Sequence, residues 1–70
     1  MNGERFFAIV DNKKFLRGLK DEDVAAAIHV SLNTYHKRKM NPGSFTIREI
    51  YSIMKYLEFT KTEMAEALIE

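Results

Sequence analysis

DEDVAAAIHVSLNTYHKRK, residues 21–39, is the stretch that decides the fold of this chain. It begins acidic, narrows to three consecutive alanines, breaks at His29 and resumes with a polar residue and a basic run. The pattern predicts two short helices, near residues 21–28 and 32–40, separated by a three-residue break. Helices this short and this close cannot lie antiparallel, so we expect them to cross steeply. Ala25 offers the small side chain that a close approach of two backbones needs.

Length and composition limit the function. The 70 residues make one small domain, 1–70, and such a domain buries only about 60% of the surface that its unfolded chain exposes. Little room remains to enclose a small-molecule substrate, so we expect neither an enzyme nor a cofactor. The absence of cysteine excludes a disulfide framework or a thiolate metal site and fits a reducing cytoplasm. No metal is expected at His29 and His36, and the apolar run at 5–10 is too short for a membrane span.

Charge is unevenly distributed along the chain. The formal net charge is only +1. Residues 21–28 nevertheless hold three acidic side chains and no basic one, whereas residues 29–48 hold four basic side chains and no acidic one. Positive charge is therefore concentrated in a window that begins inside the opening stretch.

Helix starts are marked by a polar cap residue between two apolar residues five positions apart, which pack across the first turn. Among the sets that follow this rule are Val10-Asp11-Phe15, Val30-Ser31-Tyr35, Phe45-Thr46-Ile50 and Phe59-Thr60-Met64. Glu49 and Glu63 complete capping boxes in the last two sets. Leu19 and Val24 bracket Lys20 in the same way, although lysine has no acceptor to offer the first amides of a helix.

Helix ends agree with these starts. Gly18 is suited to close the first helix in a left-handed conformation, and Asn41-Pro42 ends the third. The sequence NPGS predicts a type II turn with Gly43 as its third residue. We therefore predict an all-α, compact five-helix domain. The expected helices lie near 12–17, 21–28, 32–40, 47–57 and 61–69, and residues 5–10 form either a strand or an extension of the first helix.

The fourth helix carries an apolar stripe at helical spacing. The expected core positions are Ile47, Ile50, Tyr51, Met54 and Leu57. Several other apolar residues fall outside this stripe and are candidates for a dimer contact: Phe6, Phe7, Ile53, Tyr56 and Ile69. The alternative is that they simply widen the core.

The crossing of the two short helices assigns an inner and an outer side. The residues expected to face the core are Val24, Ala25, Ile28, Val30 and Tyr35. Helical geometry then leaves Leu32, Asn33, His36 and Lys37 on the outer side of the second helix. Leu32 has the alternative reading of an ordinary exposed apolar residue, and residues 37–39 that of a solvated cationic face.

Residues 21–40 resemble the lambda repressor-like, or XRE and Cro-like, helix-turn-helix family. The positions that carry the resemblance are Val24, Ala25, Ile28, Val30, Ser31, Thr34 and Tyr35. The resemblance extends over about residues 15–69, because YHKRKMNPGSFT and the following NPGSFTIREIYSIMKYLEFTKTEM look like the corresponding parts of small phage-borne members. It implies a lambda repressor-like five-helix fold.

The resemblance also implies how DNA is bound. The helix 32–40 is expected to enter the major groove, with base contacts from Leu32, Asn33, His36 and Lys37. Asn33 suits adenine, Lys37 suits guanine, and His36 is expected to donate to groove acceptors or to a phosphate. The expected phosphate contacts are Ser31, Arg38, Lys39, Asn41 and Ser44.

Two positions depart from the family pattern. His29 stands where relatives usually have glycine at a positive φ, which histidine adopts more readily than most residues. Asp21 stands where many relatives carry a glutamine that holds a phosphate, and an acidic side chain would repel phosphate. We therefore assign no phosphate contact to Asp21.

The expected function is sequence-specific binding of double-stranded DNA by a small transcriptional regulator of phage or prophage origin. It would repress by occupying an operator in the bacterial cytoplasm, as a homodimer that reads two half-sites. The alternative is a helical protein-interaction module, such as an anti-repressor or an assembly adaptor, which keeps the fold without binding DNA.

Overall fold

Five α-helices and one 3-10 turn make up the computed structural model, which describes residues 1–69. The elements are α1 (Gly3–Arg17), α2 (Asp21–Ala27), α3 (Leu32–Met40), the 3-10 turn (Pro42–Ser44), α4 (Ile47–Tyr56) and α5 (Lys61–Leu68). The predicted all-α, compact five-helix architecture is confirmed. Among the described residues, none of the helices combines the length and the apolar character needed to cross a membrane.

The first helix begins much earlier than its predicted start near residue 12. Asn2 caps α1 by accepting a hydrogen bond from the Arg5 backbone N–H at 3.1 Å. The undecided segment 5–10 is therefore helical. The predicted cap at Asp11 is wrong, because Asp11 lies inside the helix and Phe15 is 82% exposed. Asparagine is as good a cap as aspartate, and the earlier start lets α1 bury its apolar side chains.

The other predicted helix starts are confirmed. The side chains of Ser31, Thr46 and Thr60 each accept a hydrogen bond from the third amide of their helix, all at 3.1 Å. Glu49 and Glu63 accept from the cap amides and complete the capping boxes. At α2, the Lys20 side chain makes no cap hydrogen bond. Instead, the Asp23 carboxylate accepts from the Lys20 backbone N–H at 2.8 Å.

Three helices end with the same motif. Gly18, His29 and Glu58 have φ values of 66°, 59° and 56°, and each follows the end of a helix. In each case the next residue donates its backbone N–H to the carbonyl five residues earlier, at 2.9 to 3.1 Å. The pairs are Leu19 with Lys14, Val30 with Ala25 and Phe59 with Met54. This is the pattern of a Schellman motif. The positive φ predicted for His29 is confirmed, whereas that of Glu58 was not predicted.

The turn at NPGS differs from the predicted type II turn. A type II turn requires a positive φ at Gly43, and Gly43 does not have one. Residues 42–44 instead wind as a 3-10 turn. Ser44 donates both its backbone N–H and its hydroxyl to the Asn41 carbonyl, at 2.9 and 2.8 Å, and these two bonds favour the tighter winding.

The core is centred on aromatic side chains from two helices, α1 and α3, and from the segments that precede α4 and α5. Tyr35 and Phe6 are fully buried, and Phe7, Phe45 and Phe59 are nearly so. The Tyr35 ring lies 6.3 Å from that of Phe7 and 6.2 Å from that of Phe45, in edge-to-face geometry. α1 packs on α5, and α2 packs on both α3 and α4.

The buried face of α4 is rotated from the predicted stripe. The buried positions are Ile50, Ile53, Met54 and Leu57, whereas Ile47 and Tyr51 are 75% and 53% exposed. Both sets have helical spacing, so tertiary packing decides between them.

Three predicted dimer residues therefore have to be corrected. Phe6, Phe7 and Ile53 lie in the core and offer no surface to a partner. Tyr56 and Ile69 remain exposed, at 37% and 65%. The alternative reading, that these apolar residues widen the core, holds for the three buried ones.

Two left-handed positions are occupied by residues other than glycine, His29 and Glu58, whose Cβ atoms make this backbone conformation unfavourable. A residue other than glycine in this region costs about 1 to 2 kcal/mol. We therefore expect His29→Gly and Glu58→Gly each to raise the free energy of unfolding by roughly 1 kcal/mol. Gly18→Ala, the reverse change at the matching position, should lower it. Urea denaturation of the three variants measures this, and a loss of stability in both glycine variants would contradict the prediction.

Gly3 is required for a different reason, namely its contact with the 3-10 turn. A Cβ at Gly3 would lie 2.7 Å from both Cβ and Cγ of Pro42, and the proline ring cannot rotate away. We expect Gly3→Ala to destabilise the protein by roughly 1 to 3 kcal/mol, the usual cost of overpacking. Gly43→Ala is the matched control, because the nearest atom to its new Cβ is 3.8 Å away. Equal thermal midpoints for the two variants would count against this contact.

Candidate nucleic-acid interface

The pair α2 and α3 forms the frame of the candidate interface. Val24, Ala25, Ile28 and Tyr35 are buried, and Val30 packs against the same core, as predicted. The three-alanine segment lets α2 approach its neighbours closely, and Ser31 caps α3 at once after the turn. Tyr35 anchors α3, so the opposite side of that helix faces solvent.

The four predicted base-contact residues lie together on this outer side. Asn33, His36 and Lys37 are exposed, and Leu32 is 38% exposed. Within residues 1–69, the side chains of Asn33 and Lys37 have no hydrogen-bond or ion-pair partner. Their amide and ammonium groups are therefore available to an external ligand. His36 differs from them, because its ring is already bonded to α2.

A chain of polar contacts joins α3 to α1 and α2. The His36 Nε2 atom lies 3.1 Å from Asp21 Oδ2, and Asp21 Oδ1 contacts the Lys14 ammonium. Lys14 also pairs with Asp11 at 3.2 Å, and Asp11 pairs with Lys39 at 2.9 Å. His36 and Lys39 are both on α3, so the sequence of contacts closes on that helix. We call these five residues the charge circuit.

Contacts within the charge circuit shift the pKa values of two of its members, Asp21 and Lys14. Although burial raises the pKa of Asp21, hydrogen bonds from Lys14 and His36 outweigh burial and hold this pKa below its usual value. Although burial lowers the pKa of Lys14, its bonds to Asp21 and Asp11 hold this pKa above its usual value. Asp21 and Lys14 are therefore kept as an ion pair at neutral pH.

Two predicted phosphate contacts are occupied by internal partners. The Arg38 guanidinium pairs with Glu49 of α4. The Lys39 ammonium pairs with Asp11 and lies 5.5 Å from the centre of the Phe7 ring. These contacts span 11 and 28 residues of sequence, beyond the reach of local patterns. Arg38 and Lys39 would have to leave these partners to hold a phosphate.

The remaining predicted phosphate contacts are small polar side chains at helix ends. Ser31 caps α3 and donates its hydroxyl to Thr34 at 2.9 Å, and Ser44 donates its hydroxyl to the Asn41 carbonyl. All three of Ser31, Asn41 and Ser44 are exposed. Ser31 and Ser44 therefore remain accessible even though their hydroxyls help to shape the backbone.

Arg48, in the first turn of α4, was not among the predicted contacts. It is exposed, and its side chain has no hydrogen-bond or ion-pair partner in the part of the chain that the structure describes. Its signal in the sequence is its membership of the acid-free window 29–48. Lys37 and Arg48 are therefore the two unpaired cations of that window.

A separate apolar groove lies beside the 3-10 turn. It has a volume of about 370 Å³, and its walls include Pro42, Phe45, Ile47, Tyr51 and Leu68. No charged side chain lines this groove among the described residues. Ile47 and Tyr51 reach it because the buried face of α4 is rotated away from the predicted stripe.

Comparison of the chain with protein-family models, with curated proteins and with solved structures finds no match. The likeness to the lambda repressor-like family therefore rests on the residues of this chain alone. What those residues place on the outer side of α3 is the remaining guide to function.

The capping boxes and the charge circuit make stability depend on acid pH. The Thr46 backbone amide and Arg38 lower the pKa of Glu49, and Lys13 with the Thr60 backbone amide lowers that of Glu63, in the same direction as Asp21. A carboxyl whose folded pKa is lowered stabilises fully above its unfolded pKa, about 4, and loses this contribution as pH falls through the folded pKa.

We therefore expect the thermal midpoint to fall between about pH 5 and pH 2. Glu63→Gln should lower the midpoint at neutral pH and flatten this dependence, because it removes a carboxyl bonded to Lys13 and to the α5 cap. Glu66→Gln is the matched control on α5, since Glu66 is exposed and has no partner among residues 1–69. Parallel curves for wild type and Glu63→Gln, measured by circular dichroism, would refute the assignment.

Proposed function

We propose that this chain has a lambda repressor-like fold and binds double-stranded DNA in a sequence-specific manner. In this proposal, α3 enters the major groove of the DNA. The observation that carries the proposal is the joint exposure of Asn33 and Lys37 on one side of α3, where neither has a partner among the residues that the structure describes. A short helix anchored on one side by a buried aromatic residue presents the other side rigidly, which suits insertion into a groove. The acid-free window 29–48 adds the favourable sign of charge.

Each outward side chain has a suitable target on a base edge. The Asn33 amide matches the donor and acceptor pair of adenine, and the Lys37 ammonium matches the acceptors of guanine. Leu32, at the start of α3, suits contact with a thymine methyl group. These side chains supply discrimination, whereas contacts to phosphate supply affinity without sequence information.

Phosphate binding would rely on a smaller set than the basic run suggests. The internal pairs of Arg38 and Lys39 reduce their attraction to phosphate, which leaves Ser31, Asn41 and Ser44 with Arg48 as the accessible candidates. One such domain would bind weakly. A homodimer on two half-sites about one helical turn apart is the usual remedy, so we propose a phage or prophage repressor that occupies a two-fold operator in the bacterial cytoplasm.

The test is a double variant on the outer side of α3. Asn33→Ala with Lys37→Glu removes one base contact and reverses one charge, so we expect affinity for a selected operator to fall at least about a hundredfold. Lys61→Glu is the matched control: it makes the same charge change at an exposed position of α5. Fluorescence anisotropy with a duplex selected from a random pool measures both. Equal losses in the two variants would show non-specific attraction only.

Salt dependence tests the phosphate contacts separately. Contact with roughly four to six phosphates gives a slope of about −4 to −5 in log affinity against log salt concentration. Since Arg38 and Lys39 carry internal partners, we expect the wild type to lie at the shallow end of this range. Binding that is insensitive to salt would contradict the phosphate contacts.

A second candidate, a protein-interaction module, is favoured by the apolar groove. The apolar side chains of its walls, with Ile47 and Tyr51 exposed, suit an apolar segment of a protein partner, as in an anti-repressor or an assembly adaptor. The α3 double variant and Tyr51→Lys, which places a charge in the groove, separate the two functions. A DNA-binding protein loses operator affinity in the α3 double variant and keeps it in Tyr51→Lys, whereas an adaptor loses its partner only in Tyr51→Lys.

A further inference from the structure

The contact between His36 and Asp21 restricts where the histidine can carry its hydrogen. His36 Nε2 lies 3.1 Å from Asp21 Oδ2. An ionised carboxylate can only accept hydrogen bonds, so Nε2 must be the protonated nitrogen of a neutral ring that makes this contact. Nδ1 then has a free lone pair and can only accept. The His36 side chain is half exposed, so the ring is accessible from outside.

The carboxylate that imposes this restriction is itself held in place. Asp21 Oδ1 contacts the Lys14 ammonium, and Lys14 is held in turn by Asp11, which pairs with Lys39. Asp21 therefore stays ionised and cannot turn to offer a hydrogen of its own. His36 is the member of the charge circuit whose half-exposed ring lies on the outer side of α3.

We infer that Asp21 is a specificity-determining residue: it fixes the Nε2–H tautomer of His36 and makes this histidine a reader of base amino groups. In its neutral form, His36 Nδ1 would accept from the N6 amino group of adenine or the N4 amino group of cytosine. This replaces the expectation that His36 donates to groove acceptors or to a phosphate. The inference rests on the proposed DNA binding for its functional part, whereas the tautomer is a property of the free protein.

The first experiment needs no DNA and no variant. Imidazole nitrogen shifts of the ¹⁵N-labelled protein are recorded at a pH where they show both rings to be neutral. We expect a single Nε2–H tautomer for His36 and the averaged shifts of two tautomers for His29, which is exposed and has no side-chain partner among residues 1–69. Averaged shifts for His36 would overturn the inference.

Two variants then test the cause. Asp21→Ala removes the acceptor, so the His36 shifts should move to the averaged values of His29. Glu22→Ala is the matched control: it removes one negative charge from the same first turn of α2, but from an exposed side chain without a partner in the described chain. It should leave the His36 shifts unchanged. An equal response to both variants would mean that charge alone, and not the contact, sets the tautomer.

The third experiment reads specificity. Duplexes are selected from a random pool with the wild type and with the variants Asp21→Ala, Glu22→Ala and His36→Ala. The base position at which His36→Ala loses its preference is the position that His36 contacts. We expect Asp21→Ala to lose about fivefold in preference for adenine or cytosine at that position only, the effect of one hydrogen bond. Unchanged preference would overturn the specificity role. Failure of the wild type to enrich any sequence would overturn DNA binding itself, while the nitrogen shifts would still decide the tautomer.

Discussion

The packing of Tyr35 against Phe7 and Phe45 is the constraint on which the rest of the structure depends. These three rings come from α3, α1 and the segment before α4, and the Tyr35 side chain is completely buried among them. Once Tyr35 points inward, the 3.6-residue period of the helix sends residues 32, 33, 36 and 37 outward. The outer side of α3 is thus set from its inner side. Apolar burial holds the inner side of the helix, and Asn33 and Lys37 on its outer side have no partner among residues 1–69.

Short connections between helices reinforce this arrangement. At three junctions, a residue with positive φ is followed by an apolar residue and then by the N-cap of the next helix. The middle residue, Leu19, Val30 or Phe59, closes the preceding helix by its amide and packs its side chain on the core. Because one residue serves both helices, neither helix can turn about its axis without disturbing the other. The register of α3 is therefore coupled to that of α2.

Local chemistry explains which parts of this fold could be predicted from the sequence. The caps at Ser31, Thr46 and Thr60 and the left-handed Gly18 depend on neighbours within a few positions and were predicted correctly. The positive φ of His29 was also predicted, but from the family resemblance. The start of α1 was not predicted: Met1-Asn2-Phe6 has the same spacing as the other caps, but so does Val10-Asp11-Phe15, and burial of Phe6, Phe7 and Val10 selects the earlier start. The buried face of α4 was predicted in part: Ile50, Met54 and Leu57 are buried as expected, whereas Ile47 and Tyr51 are exposed. Two stripes three residues apart fit the same helical period, and only tertiary packing separates them.

In the candidate interface, too, the features set by local sequence could be predicted and those set by distant residues could not. Exposure of Asn33, His36 and Lys37 followed from the inward position of Tyr35 and could be foreseen. The partners of Arg38, Lys39 and His36 could not, because Glu49, Asp11 and Asp21 come from other helices. Charge counted along the chain thus overstates the charge that α3 presents, since a cation paired internally contributes little to the surface potential.

If the chain binds DNA as proposed, the internal pairing of Arg38 and Lys39 also affects how it would search a genome. Random sequence attracts a regulator almost entirely through unpaired positive charge. A recognition helix that satisfies two of its three central cations within its own fold would leave random duplex quickly. Contacts to base edges would then make the protein stay longer on its target than on random DNA. A modest number of copies per cell could therefore find one target, because few would be retained along the rest of the chromosome.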